Sequence, residues 1–181
     1  MAPTTFAESR IGTVQTTRNG GKTASITTKS GTAFCYTTPQ PLYVPFECQG
    51  WQGDEARQNL VLQLDEAQAE YFRALDDEIC QRASKELNLD PRDYTPLVKQ
   101  SDRGCHIKCK VLRTAGPYCT KFWTADRELL PDRPEQLQYT NCRVRMQLGS
   151  IWLQNRQFGV VCLATDVEIH EASSMEPVSP F

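Results

Sequence analysis

Cys105-His106-Ile107-Lys108-Cys109-Lys110-Val111 is a stretch in which apolar and polar side chains alternate one by one. Successive side chains of a β-strand point to opposite faces of the sheet, so the cysteines, Ile107 and Val111 share one face. His106, Lys108 and Lys110 then share the other face. The stretch therefore predicts a strand that is buried on one side and cationic on the other.

A second stretch, Cys142-Arg143-Val144-Arg145-Met146-Gln147-Leu148, repeats this arrangement, with Arg143 and Arg145 on the outward face. Two such strands form a surface suited to a polyanion. The alternative is that these cations lie on an ordinary solvated strand face. The residues that we expect to contact phosphates are Lys99, Lys108, Lys110, Lys121, Arg143 and Arg145.

Charge is distributed unevenly along the chain. Between Lys99 and Arg156 there are 11 Lys and Arg residues against five acids, whereas the last 25 residues contain four acids and neither Lys nor Arg. The 181 residues carry a formal net charge of −2, which argues against a general nucleic-acid binder of the histone kind. Residues 170–181 are expected to form a flexible acidic tail that competes for the cationic face. Its terminal Phe181 suits capture by a partner's apolar pocket and a nearby base.

Aromatic residues beside cations are a second indication of nucleic-acid binding. Tyr118 and Trp123 lie close in sequence to Lys121, and single-stranded nucleic acid is held by rings that stack on bases while cations contact phosphates. We expect these two rings to be stacking platforms, with a place in the core as the alternative. Trp152 and Phe158 are expected in the core, because apolar residues flank both.

Local patterns predict many short strands and one helix. Asn19-Gly20 favours a tight turn between Thr-rich flanks, which predicts an N-terminal hairpin. Asp65 is a plausible N-cap for a helix over residues 66–88, where apolar residues recur at three- and four-residue steps. The expected fold is mainly β, an OB-like closed barrel with one helix. The expected organisation is a disordered N-terminus at residues 1–9, an OB-like domain at residues 10–169 and the tail at residues 170–181.

Little in the sequence indicates catalysis, metal binding or a membrane. The two histidines, His106 and His170, are far apart, and there is no CxxC, GxSxG or HExxH motif. Asp76-Asp77-Glu78 is expected on a solvated helix face. Most of the eight cysteines sit in apolar or alternating runs, where Cys behaves as a small buried hydrophobe. We expect no enzyme, no cofactor and no metal site, and a soluble intracellular protein, since the apolar runs fall far short of the roughly 20 residues that span a bilayer.

Several short motifs follow one another in an order that resembles one group of proteins. They are Asn19-Gly20-Gly21-Lys22, Tyr36-Thr37-Thr38-Pro39, Tyr43-Val44-Pro45-Phe46, Trp51, Tyr94-Thr95-Pro96-Leu97-Val98-Lys99, and Ser150-Ile151-Trp152 through Phe158-Gly159. This order is similar to that of single-stranded DNA-binding proteins of large nucleocytoplasmic DNA viruses and some algae. That group is distantly similar to the single-stranded DNA-binding proteins of short-tailed phages, which are OB folds with an acidic tail ending in an aromatic residue. The resemblance covers residues 10–170, and the tail of this chain departs from the phage pattern because it is sparse in acids.

These observations predict a single-stranded DNA-binding protein without strong sequence preference, acting in replication, recombination or repair. The expected partners are single-stranded DNA and, through the tail, replication proteins; a homo-oligomer is an open alternative. The expected location is the nucleus or viral replication compartment of a host cell. A different class of function is also open, a structural or assembly protein of a virion or filament that uses the same barrel for protein contacts.

Overall fold

The computed structural model describes residues 6–50, 56–113 and 119–170. Within these ranges the chain forms twelve β-strands and one α-helix. In chain order they are β1 (Ser9–Thr16), β2 (Lys22–Thr28), β3 (Phe34–Thr37), β4 (Leu42–Tyr43), β5 (Gln49–Gly50), β6 (Arg57–Gln63), α1 (Glu66–Leu87), β7 (Tyr94–Thr95), β8 (Lys99–Ser101), β9 (Gly104–Leu112), β10 (Lys121–Thr124), β11 (Asn141–Gln154) and β12 (Gln157–His170).

The strands form one sheet in which hydrogen-bonded neighbours follow the order β1-β2-β11-β12-β9-β6-β5. β3 and β4 pair with β11, β7 and β10 pair with β12, and β8 pairs with β9. The predicted mainly β fold with one helix is confirmed, and so is the N-terminal hairpin, which is formed by β1 and β2. No pairing joins β5 to β1 among the described residues, so hydrogen bonds do not close the sheet and the predicted closed barrel is not confirmed.

β11 and β12 form the central hairpin of this sheet. Each strand is 14 residues long, and together they pair with β2, β3, β4, β7, β9 and β10. The hairpin turns at Asn155 and Arg156, whose φ angles are 51° and 68°. Two consecutive positive φ values are what a type I′ turn requires, and its twist matches that of the flanking strands. This turn sets the register of its end of the hairpin, as far as the pair of Ser150 and Val161. Two register shifts, between Leu148 and Ser150 and between Arg145 and Met146, change the pairing further along.

The core lies under one side of the sheet, as the alternation along β9 and β11 predicts. The buried residues of these strands include Cys105, Ile107, Cys109, Val111, Cys142, Val144, Met146 and Leu148. α1 covers them with the face that carries Phe72, Leu75, Ile79 and Ala83. Full burial of a large apolar side chain contributes about 1.5–3 kcal/mol. A one-residue slip of either strand would bring lysines or arginines into this core, so the register is strongly specified.

The helix begins and ends almost where the sequence predicts. Asp65 caps its first turn, since the carboxylate accepts a hydrogen bond from the backbone N–H of Gln68 at 2.7 Å. At the other end Asn88 has a φ of 54°, and its backbone N–H donates to the carbonyl of Ser84. A left-handed residue at this position ends a helix.

Asp76 differs from its predicted place on a solvated face, because it is 5% exposed on the buried side of α1. Its carboxylate accepts hydrogen bonds from the Tyr94 hydroxyl at 2.6 Å and from the backbone N–H groups of Leu97 at 2.8 Å and Val98 at 3.0 Å. Burial raises the pKa of Asp76, while these donors and the charge of Lys99 oppose the shift. Asp76 thus fixes the segment that leads from α1 into β8.

The expected disorder of residues 1–9 is wrong for the part of this segment that the structure describes. Phe6 is 2% exposed, at the start of a short 3₁₀ turn that leads into β1. Its ring meets Phe34 edge-on with centroids 5.5 Å apart, and the guanidinium of Arg82 lies 5.2 Å from its centroid. Burying this ring outweighs the entropy of ordering a few terminal residues. Residues 1–5 lie outside the described residues.

Candidate nucleic-acid interface

The predicted cations lie on the side of the sheet that faces away from the core. On β12, Leu163 is in register with Lys110 and Asp166 is in register with Lys121. The strand residues next to these lysines in the chain, Cys109, Val111 and Phe122, are buried, so the lysines point away from the core. Residues in register on adjacent strands point to the same side of a sheet. This side, which we call the outer face, therefore carries Lys99, Lys108, Lys110, Lys121, Trp123, Arg143 and Arg145. The structure brings these seven predicted site residues to one side of one sheet.

Arg143 and Arg145 are not free cations. The register of the central hairpin places Glu168 opposite Arg143 and Asp166 opposite Arg145. A guanidinium nitrogen of Arg145 lies 3.9 Å from the Asp166 carboxylate, and Nε of Arg143 donates to the carbonyl of Thr38 at 3.0 Å. In the sequence both acids belong to the base-free end of the chain, and in the structure they lie on β12. The local charge of this region is therefore lower than the arginines alone predict.

Trp123 stands in the same region, half-buried, with its Nε1–H donating to Asp166 at 3.1 Å. Arg127 completes a groove of about 330 Å³ around it, which we call the arginine groove. The residues that line it are Thr37, Trp123, Arg127, Arg143, Arg145, Asp166 and Glu168. Three cations against two acids leave this groove weakly positive.

A larger groove, of about 920 Å³, lies between the turn of the β1–β2 hairpin and the turn of the β11–β12 hairpin. We call it the lysine groove. It is lined by Lys22, Lys110 and Arg156, and no acid belongs to its described lining. None of these three side chains forms an ion pair within the described part of the chain. Three unpaired cations around an open groove suit the phosphates of a nucleic-acid strand.

Trp152 forms part of the lysine groove, which corrects its expected place in the core. It is only half-buried, whereas Phe158 is fully buried as predicted. The register of the hairpin pairs Trp152 with Gly159, and the indole lies against that glycine. A Cβ built on Gly159 would stand 2.8 Å from Cζ2 of the indole, well inside van der Waals contact. Because glycine has no side chain, the indole can lie on the sheet surface at position 159, beside the cations.

Local sequence explains how the two turns border this groove. Gly20, with a φ of 79°, lies in the first turn, where the backbone N–H of Thr17 donates to the carbonyl of Gly21 at 2.7 Å. This turn holds Lys22 at the start of β2. The type I′ turn of the second hairpin presents Arg156. Lys22, Trp152 and Arg156 are thus site candidates that the charge and aromatic patterns did not single out.

His106 is a further titratable group on the outer face. Burial lowers its pKa, and the nearby positive charges of Lys108 and Lys99 lower it further. The imidazole is therefore neutral at pH 7. A phosphate placed beside these residues would offset the two lysine charges.

Some residues of the predicted site and of the motifs belong to segments that the structure does not describe. Tyr118, Phe181 and residues 171–181 of the expected tail, together with Trp51, lie outside the described residues. Over the described ranges there is no group of three or more His, Cys, Asp or Glu side chains that could hold a metal ion. No helix in those ranges is both long and apolar enough to cross a membrane.

The fold is similar to solved structures of phage proteins. The single-stranded DNA-binding protein from bacteriophage Enc34 shares 10% identity with this chain over 90% of both chains, with a TM-score of 0.54. Its C-terminally truncated form shares 12% identity over 90% of this chain and 95% of that one, with a TM-score of 0.52. The single-stranded DNA-binding protein encoded by bacteriophage T7 shares 13% identity over 77% of this chain and 87% of that one, with a TM-score of 0.55.

These similarities show a shared fold. They agree with the phage part of the resemblance inferred from the motifs. No known family model and no curated protein matches the sequence. Membership of the group from large DNA viruses and algae therefore stays a prediction.

Proposed function

We propose that this protein binds single-stranded DNA without strong sequence preference and acts in replication, recombination or repair. One observation carries the proposal: an indole, that of Trp152, lies in an open groove edged by Lys22, Lys110 and Arg156, with no acid in the described lining. Bases stack on rings while cations contact phosphates, and each stacked base is worth about 1–3 kcal/mol. Every base has a π-face, so this mode of binding is tolerant of sequence.

The two grooves have different roles in this proposal. The lysine groove is the main site, because its cations are unpaired within the described residues. Lys108 extends it along β9, and Lys99 on β8 is in register with His106, two residues before Lys108. The arginine groove, with Lys121 and Trp123, is a weaker extension in which Asp166 and Glu168 offset Arg143 and Arg145. Tyr118, three residues before Lys121 in the sequence, remains a proposed stacking residue.

The names of the phage proteins with this fold support the same class of function. Those proteins are described as single-stranded DNA-binding proteins.

We propose for this chain the OB-like closed barrel over residues 10–169 that the sequence predicts, in which side-chain packing rather than hydrogen bonding brings the sheet edges together. We also propose a non-enzymatic, intracellular role in the nucleus or viral replication compartment of a host cell, and replication proteins as partners of Phe181.

Fluorescence titration with a labelled oligo-dT and with a matching duplex tests this function. The expected result is tight, saturable binding of oligo-dT and weaker binding of the duplex, since stacked and paired bases cannot reach the ring. Affinity for oligo-dT should fall steeply as salt rises, because cations on the protein release counterions from phosphates. An assembly protein that uses the same sheet for apolar contacts would show little response to salt. Equal or absent binding of both DNAs would contradict the proposal.

A further inference from the structure

Phe46 is an exposed ring elsewhere on the outer face, 45% exposed in the loop after β4. A separate pocket of about 260 Å³ forms around it, floored by Val61 and Gln63 of β6 and His106 of β9. This volume is smaller than the about 300–1,000 Å³ of pockets that hold drug-sized ligands, so it suits a single flat ring. The turn between β8 and β9 forms the opposite wall and carries Arg103.

The ring of Phe46 and the unpaired guanidinium of Arg103 suit a ligand that joins an aromatic ring to an anionic group. The guanidinium of Arg103 lies 5.6 Å from the centroid of the Phe46 ring. No carboxylate is paired with Arg103 among the described residues, and Asp102 is the one acid in the described lining. A ring beside a guanidinium provides a stacking surface for a base and a donor for its phosphate.

Two lysines of β9 lie on the outer face between this pocket and the lysine groove. Val61 is in register with Lys108, so the pocket floor and this lysine share the outer face. Lys110 lies two residues further along β9, about 7 Å away at the rise of a strand, and lines the lysine groove. Unpaired lysines therefore connect the groove of Trp152 with the pocket of Phe46.

We propose that the pocket of Phe46 and Arg103 is a second base-binding site, which a single strand reaches from the lysine groove by passing Lys110 and Lys108. This inference rests on the proposed function and adds the ring of Phe46 to the stacking ring of Trp152 in the lysine groove. A strand that is long enough to reach both rings gains a second stacked base. A strand that is too short to reach both rings can stack a base on only one of them at a time.

Phe46→Ala tests the second site, with Tyr43→Ala as a matched control. Tyr43 is a comparably exposed ring, 39%, that lines none of the pockets described above. Affinities are measured for oligo-dT of about four and about 20 nucleotides, lengths that span the site sizes of roughly 4–16 nucleotides found for single OB folds. We expect Phe46→Ala to weaken binding of the long oligonucleotide about tenfold, and to change binding of the short one less than about twofold. Tyr43→Ala should change neither.

Phe46→Trp, which keeps a ring, should retain wild-type affinity and so separates stacking from any effect on folding. Arg103→Ala should also weaken binding of the long oligonucleotide, and it should make that binding less dependent on salt. Unchanged affinity of Phe46→Ala for the long oligonucleotide, with wild-type protein binding it tightly, would overturn the second site alone. Failure of the wild-type protein to bind either oligonucleotide would instead contradict the proposed function on which the site rests.

Discussion

The indole of Trp152 occupies the space that a side chain at position 159 would need. A Cβ on Gly159 would stand 2.8 Å from Cζ2 of the ring and 2.9 Å from the carbonyl oxygen of Thr95. The ring and the glycine face each other because a two-residue turn fixes the register of the β11–β12 hairpin. This pair determines whether the lysine groove contains a stacking surface.

Gly159→Ala is expected to destabilise the fold and to weaken binding of oligo-dT. The added methyl group must displace the indole or shift the backbone of Thr95, and overpacking of this kind costs about 1–3 kcal/mol. The same substitution in a Trp152→Ala background should cost less free energy of unfolding, because only the contact with Thr95 remains. Urea unfolding of the four proteins measures this difference. An equal cost in both backgrounds would mean that the indole does not lie over Gly159.

Lys110→Ala is expected to weaken oligo-dT binding to a similar extent for all sequences. Each lost phosphate contact on a single strand should also lower the slope of log affinity against log salt by about 0.7. Lys108→Ala combined with Lys110→Ala should lower it by about twice as much. Lys29→Ala, an exposed lysine outside both grooves, is the control and should leave the slope unchanged. A double variant that is folded and has the wild-type slope would remove β9 from the interface.

Asp166→Asn is expected to raise the affinity for oligo-dT several-fold at low salt. The substitution removes the negative charge 3.9 Å from Arg145, while the amide oxygen can still accept the hydrogen bond from Trp123. The gain should disappear as salt screens the interaction. Glu135→Gln, an exposed acid outside both grooves, controls for the change in net charge. Affinity that is identical to wild type at low salt would exclude the arginine groove from the path of the strand.

Glu47 is expected to make stability depend on pH in the acid range. Burial raises the pKa of Glu47, but hydrogen bonds from the backbone N–H groups of Gln138, Leu137 and Cys48 and from the side chain of Arg133 together lower it by more. The net shift of the pKa is therefore downward from 4.5. A lowered carboxyl pKa stabilises the fold above the unfolded-state value, and this contribution is lost as pH falls through the folded-state value. Glu47→Gln should therefore be less stable than wild type at pH 7 and lose less stability on acidification. Unfolding curves of both proteins at pH 7 and at pH 3 measure this difference. An equal loss of stability in the two proteins would contradict the prediction.

The elements that sequence predicts correctly are those with local signals. The helix follows from a cap at Asp65 and apolar residues at helical spacing, and the buried side of β9 follows from strict alternation. Whether the two edges of the sheet meet depends on contacts between residues far apart in sequence, which no local pattern encodes. The burial of Asp76 depends on backbone donors about 20 residues away, which are equally invisible in a local window.

The candidate site was harder to predict because it depends on strand register. Apolar neighbours of Trp152 predict a core position, and only its place opposite Gly159 explains why the ring lies at the surface. The same register brings Asp166 and Glu168 to Arg145 and Arg143, so cations that look unopposed in sequence are partly neutralised. Recognition of Asn155-Arg156 as a two-residue turn would have paired Trp152 with Gly159 from the sequence. The pairs of Arg145 and Arg143 also depend on two register shifts along the hairpin, which no local pattern indicates.

Tryptophan fluorescence of a Trp51→Phe, Trp123→Phe variant tests the central claim most directly. The chain has three tryptophans, so this variant reports on Trp152 alone. Titration with oligo-dT should quench its emission in a saturable manner, and the quenching should weaken as salt rises, because a base stacks on the indole while Lys22, Lys110 and Arg156 hold the phosphates. Binding of oligo-dT, followed by a label on the DNA, without any change in the Trp152 emission would contradict the account.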